Sequence, residues 1–195
     1  MKDSALIVVD MLYDFIDGSL ACLHSEEAVK ATVDFINKAS GAEEGNADEI
    51  LGTFPILFVR DRHPKDHSSF KDFGGIWPAH CVAGTRGGEI HELLRPYAEE
   101  SLTFDKGCDR LQEQYSGFEG VNSCGQSLSE VLELLDIKDV YVCGIATEYC
   151  VRNTCEDLMK AGFKVRLLKE AIGYVDAEGH RKALEEMQKE GIELE

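Results

Sequence analysis

The sequence predicts an α/β fold of three layers: a mostly parallel central sheet of about six strands with helices on both faces. Apolar runs of strand length recur along the chain, and they are continuous rather than alternating, as in strands covered on both sides. Helical patterns with their own start and stop signals lie between these runs, and strands alternating with helices specify parallel pairing through right-handed crossovers. A polar or reactive side chain also punctuates the carboxyl end of each of the first runs, which in an open parallel sheet is the edge that lines a ligand crevice.

In chain order, ALIVVDM (5–11) is the first run and meets Asp10 near its end. SEEAVKATVDFINKAS then sets Ala28, Val29, Val33 and Ile36 on one helical face. FPILFVRD (54–61) ends on Asp61, and SLTFDKG (101–107) contains Lys106. SLSEVLELLDI opens with a capping box of Ser127 and Glu130. DVYVCGI (139–145) leads to Cys150 just beyond it, where the orphan amides of a starting helix would favour a thiolate. EYCVRNTCEDLMKAG stops at Gly162, KVRLLKEAI (164–172) is the last long run, and EGHRKALEEMQKEG stops at Gly191. The connections 62–87 and 108–126 are longer than this architecture usually needs, as functional loops are.

With 195 residues, 44% of them hydrophobic and 29% charged, the chain is expected to form a single domain, 1–195. The first residues, MKDSALIVVD, offer no signal-peptide core and no stretch approaches a membrane span, so a cytoplasmic location is expected. Seven cysteines without a C-x-x-C pair read as mostly free thiols. The net charge of −17 comes from stretches such as SEEAVK, GAEEGNADE and the closing KEGIELE, read as solvated surface. That balance would repel phosphate backbones, and it excludes nucleic acid as an expected partner.

Asp10, Lys106 and Cys150 bear two readings. A lysine beside a thiol favours the thiolate while an aspartate accepts its proton and later activates water, the roles that amide hydrolysis needs in turn. The other reading is a structural ion pair with a cysteine packed nearby. In DRHPKDH, Pro64 keeps the segment extended, so Asp61 and His63 point to the same side; His80 and His67 could add nitrogens. Carboxylate plus imidazole suits a divalent ion such as zinc, iron or manganese, although Asp-x-His alone is also what a polar surface loop contains. Phe15, Trp77 and Tyr115 would ordinarily be read as core aromatics, but each is expected in a loop near one of these residues, where it would also suit the wall of a pocket for a flat ring.

VVDMLYDF, DRHPKDHSSF, GIWPAHCVAGT, FDKG, YSGFEG and GIATEYCVRNT, in that order, resemble the motifs of the nicotinamidase branch of the isochorismatase-like cysteine hydrolase superfamily, over about Ala5 to Val175. The resemblance implies the isochorismatase-like form of the fold and hydrolysis of nicotinamide to nicotinate and ammonia through a cysteine thioester, in NAD salvage. The alternative it leaves is hydrolysis of another small amide or carbamoyl compound. It implies a triad of Asp10, Lys106 and Cys150, and one divalent metal ion, zinc first and iron or manganese next, held by Asp61, His63 and His80. His67 ranks below these three, because only some relatives use a further histidine of this loop. It also implies a non-proline cis peptide between Ile145 and Ala146, an oxyanion hole from the amides of Ala146 and Cys150, and ring contacts from Phe15, Trp77 and Tyr115. The expected partner is the small-molecule substrate, with no membrane; a homo-oligomer is left open. Arg62, where an aromatic is common, and Glu148-Tyr149 before the cysteine depart from the pattern and bear on substrate breadth.

Overall fold

The structure, a computed structural model, describes residues 3–40 and 54–195. The acidic stretch GAEEGNADE lies outside the described residues. Six strands form one sheet in the order β3-β2-β1-β4-β5-β6: β1 (Ser4–Val9), β2 (Ile56–Asp61), β3 (Thr103–Lys106), β4 (Asp139–Gly144), β5 (Lys164–Ile172) and β6 (Glu193–Leu194). All five neighbouring pairs are parallel.

Alternation along β1 divides the core in two. Leu6 and Val8 face α1 (Tyr13–Ile16) and α2 (Ser25–Ser40), joining Phe15, Ile16, Ala28, Val29 and Ile36. Ala5, Ile7 and Val9 face the other way, toward α3 (Leu128–Leu134), α4 (Arg152–Lys160) and α5 (Ala177–Lys189). Each β1 side chain in both sets is fully buried, which is why the run reads as continuously apolar. The capping box at α3 forms as the sequence predicts: the Glu130 amide donates to Ser127 Oγ and the Ser127 amide to Glu130 Oε2. Gly162 and Gly191 terminate α4 and α5 with φ of 91° and 101°.

Three expectations are corrected. The sixth strand comes from KEGIELE, read above as solvated acidic tail: Glu193 and Leu194 pair with Arg166 and Leu167, and Ile192 is buried, so two apolar residues anchor an edge that the charges disguise. SLTFDKG is only partly strand, because Glu100–Leu102 forms a tight 3₁₀ turn before β3. Cys150 does not begin an α-helix. It is the fourth residue of a wide π turn, Thr147–Val151, in which the Ala146 carbonyl accepts from the amides of both Tyr149 and Val151, and α4 starts only at Arg152.

Candidate active site

Parallel register assembles the site at the carboxyl edge of four neighbouring strands, β3, β2, β1 and β4. Asp61 ends β2 and Lys106 ends β3, and the two are direct partners across the strands, so their side chains meet on the same face. Val9 pairs with Gly144, which sets Asp10 beside the chain as it leaves β4. The crossing is so close that a Cβ on Gly144 would lie 2.0 Å from the Val9 carbonyl oxygen; only glycine fits there. Asp10 itself adopts φ +49°, an uncommon conformation for a non-glycine residue and one that clusters at functional sites. The Ile145-Ala146 peptide that follows Gly144 is cis.

Lys106, wholly buried, is the hub. Its Nζ lies 2.9 Å from Asp10 Oδ2 and 3.5 Å from Cys150 Sγ, and it hydrogen-bonds Asp61 Oδ1. The Asp61 amide donates to Asp10 Oδ1 at 2.8 Å. Asp10 Oδ2 is in ion-pair range of the ammonium but has no aligned hydrogen bond from it, so its lone pairs stay available to the neighbouring thiol. One ammonium thus stands where Asp10, Asp61 and Cys150 converge, their ligand atoms within 4.8 Å of one another.

Burial raises the Asp10 pKa to about 6, helped by the Asp61 charge and opposed by Lys106. Burial also disfavours ionised Asp61, but the Lys106 charge and the His63 contact outweigh it and hold that carboxyl well below its ordinary range. Burial lifts the Cys150 thiol well above its ordinary value despite the Lys106 charge, with both aspartates adding to the rise. Two carboxylates share the single cation, so the help that Lys106 gives the thiolate, expected from the sequence, is opposed here by burial and by both aspartates.

Asp61, His63 and His80, all buried, bring one ligand atom each within 4.8 Å of one another. His63 Nδ1 contacts the Gly107 carbonyl at 3.0 Å and His80 Nδ1 the Pro78 carbonyl at 2.8 Å. A carbonyl only accepts, so both Nδ1 atoms carry a proton, and in the neutral rings both Nε2 atoms keep a lone pair. His63 Nε2 lies 3.4 Å from Asp61 Oδ2. A carboxylate and two imidazoles with matching tautomers fit a divalent transition ion. The His67 ring packs 4.3 Å from that of His63, but its Nε2 donates to the Gln112 carbonyl at 3.1 Å while Nδ1 pairs with Ser69 Oγ at 2.7 Å and accepts from the Ser69 amide, so both nitrogens are engaged within the loop.

Above the thiol opens a narrow cleft in which Phe15, Trp77 and Tyr115 all stand, with Asp61, His80, Ala146 and Cys150 also lining it. Trp77 Nε1 donates to Tyr115 Oη at 3.3 Å. Sequence reasoning did not assign Tyr149, which meets Trp77 edge-on at a 5.2 Å ring separation and completes the aromatic wall; its place directly before the cysteine was the available signal. Cys22 and Gln114 also line the cleft, and no local pattern marks either. Arg62 turns away from the site to pair with Asp105 at 2.8 Å. Glu148 Oε1 accepts the amides of Val175 and Asp176, bracing another part of the rim. Among the described residues, no helix is long and apolar enough to cross a membrane.

The family model for the isochorismatase domain matches residues 4–194. The chain is 37% identical to the nicotinamidase/pyrazinamidase of Mycobacterium tuberculosis over 97% of each chain. Among solved structures it is similar to the pyrazinamidase of Pyrococcus horikoshii in complex with zinc, with 37% identity, a TM-score of 0.81 and coverage of 99% and 98% of the two chains. It is also similar to PnC1 from L. infantum in complex with nicotinate, with 30% identity, a TM-score of 0.80 and coverage of 100% and 93%.

Proposed function

The chain belongs to the isochorismatase family, and from that premise we propose that it is a nicotinamidase, a cysteine hydrolase that converts nicotinamide to nicotinate and ammonia. The observation that carries the reading is the buried Lys106 ammonium, 2.9 Å from Asp10 and 3.5 Å from Cys150, beneath an aromatic cleft that adjoins Asp61, His63 and His80. An ion pair with a cysteine merely packed nearby would not require the aromatic cleft above it.

Phe15, Trp77, Tyr115 and Tyr149 sandwich the pyridine ring and hold its carboxamide over Cys150. As the thiol attacks the carboxamide carbon, its proton passes to Asp10, while Lys106 offsets the charge that develops on sulfur and carboxylate. The amides of Ala146 and Cys150 receive the oxyanion. Asp10 returns the proton to the leaving nitrogen, ammonia departs, and Asp10 then draws a proton from water as it hydrolyses the thioester. Asp61, His63 and His80 would hold a divalent ion, for which we favour zinc on the strength of the Pyrococcus relative, with iron or manganese next. When bound, that ion supplies a Lewis-acidic anchor for the ring nitrogen. The His67 ring, with both nitrogens engaged in the loop, is left out of the ligand set. The other reading, a different small amide or carbamoyl substrate, is weaker because it would offer no ring nitrogen to an ion held by Asp61, His63 and His80.

We read residues 1–195 as one hydrolase domain serving NAD salvage, and the seven free cysteines support a cytoplasmic setting. Ammonia release from nicotinamide, measured with and without a chelator, tests the reading. Release should fall by at least tenfold with chelator and vanish in Cys150→Ala; appreciable turnover in that variant would end the thioester mechanism.

A further inference from the structure

We propose that Gln114 is a positioning residue for the metal centre: from the rim of the cleft its side chain fixes the ring of His63 through the backbone of Gly107. The inference rests on the reading of Asp61, His63 and His80 as metal ligands. Gln114 Oε1 accepts the Gly107 amide at 2.6 Å, the Gly107 carbonyl accepts from His63 Nδ1 at 3.0 Å, and His63 Nε2 then faces Asp61 Oδ2 at 3.4 Å.

Gly107 is the weak link in this chain without outside help. It adopts φ +66°, and a Cβ there would lie 2.4 Å from His63 Cε1 and 2.6 Å from Nδ1, so the imidazole packs against the bare backbone of this residue. Glycine is thus required by the ring, yet glycine has the least intrinsic conformational restraint. Whatever aims its carbonyl at His63 has to come from elsewhere, and the Gln114 carboxamide is the group that grips its amide. Gln114 in turn belongs to a braced loop: Glu119 Oε2 accepts the amides of Tyr115 and Ser116 at 3.0 and 3.1 Å, and the Gly117 amide donates to Thr154 Oγ1 at 2.9 Å. Thr154 Oγ1 donates to the Cys150 carbonyl at 2.7 Å. The loop that carries Tyr115 is therefore tied at one end to a metal-ligand ring and at the other to the turn that bears the nucleophile.

Partners that orient a ligating histidine contribute roughly 10–100-fold to metal affinity. Gln114 acts one bond further out, so a loss of about tenfold is expected. The test is zinc affinity of the metal-free protein by competition with a chromophoric chelator. Gln114→Met, of similar length but without the acceptor, should bind zinc about tenfold more weakly, whereas Gln114→Glu, which keeps an acceptor oxygen, should bind at least as tightly as wild type. Met at the exposed neighbour Gln112 should change nothing. In the metal-free proteins, hydrogen exchange at the Gly107 amide should be faster in Gln114→Met than in wild type and slow again in Gln114→Glu. Equal zinc affinities and equal Gly107 exchange in wild type and Gln114→Met would overturn the inference, as would equal losses in the Met and Glu variants. Failure of wild type to bind zinc would overturn the metal-site reading along with it, so the two failures are distinguishable.

Discussion

Asp10, Asp61 and Cys150 all depend on one ammonium, and that shortage of positive charge decides how the site responds to pH and to substitution. Because Asp10 works as a base only when ionised and its pKa is raised to about 6, turnover should fall about tenfold per pH unit below that value. A pH profile of kcat/KM that stays flat down to pH 4 would exclude Asp10 as the base. The same shift has a stability sign. A carboxyl whose folded pKa exceeds its unfolded value binds its proton more tightly when folded. Its stabilising contribution is complete below pH 3.8 and is lost as pH rises through about 6. The metal-free wild type should therefore lose about 3 kcal/mol relative to Asp10→Asn between pH 3 and 7, measured by urea unfolding at each pH. Lys106→Met would leave two buried carboxylates without their cation, at a cost of about 3–5 kcal/mol, and lower turnover by orders of magnitude. Lys106→Arg should be comparably inactive, because a planar guanidinium does not fit the space between thiol and carboxylate; near-normal turnover in Arg would make Lys106 a structural cation.

At the scale of elements, the loops carry what the strands only support. Thr154, fully buried in α4, both accepts from Gly117 and donates to the Cys150 carbonyl. Thr154→Val preserves the shape but orphans the Gly117 amide, at a cost of roughly 1–3 kcal/mol. The expected outcome is a lower Tm with a larger proportional loss in kcat/KM, read by calorimetry and steady-state kinetics on the same preparation; unchanged kinetics would mean that the Tyr115 loop is held without it. Strands and helices were legible in the sequence because burial on both faces writes a continuous apolar run, and because Ser127, Glu130, Gly162 and Gly191 are local signals for local geometry. The π turn around Cys150 was not legible, since its wider hydrogen-bond spacing leaves no distinctive composition. Gln114 and Thr154 were missed for a related reason: their roles arise from contacts 7 and 37 residues away in the chain, which no short pattern encodes.

For the whole molecule, the strand order places the site on β3, β2, β1 and β4 and leaves β6 at the far edge. Removing Ile192 to Glu195 would expose the margin of β5 and abolish the salt bridges that Glu193 makes to Lys164 and Arg166. The loss of a buried isoleucine should lower stability by about 2 kcal/mol, or Tm by about 4–8 °C, with kcat retained within about twofold; a collapse of kcat at temperatures where the truncated protein is folded would show that the edge communicates with the site. The convergence of Asp10, Asp61, Lys106 and Cys150 was legible as a shared position at strand ends. The balance of their charges was not, because it depends on how deeply each is buried. That balance has a further consequence, for survival under oxidants. Peroxide attacks thiolates it can reach, and Cys150 is enclosed with its thiol pushed up by burial, whereas Cys108 and Cys124 are exposed. The resting enzyme should therefore tolerate hydrogen peroxide, with mass spectrometry finding sulfenic acid on the two surface cysteines first; early oxidation of Cys150 with matching loss of activity would show that the nucleophile is kept ionised at rest.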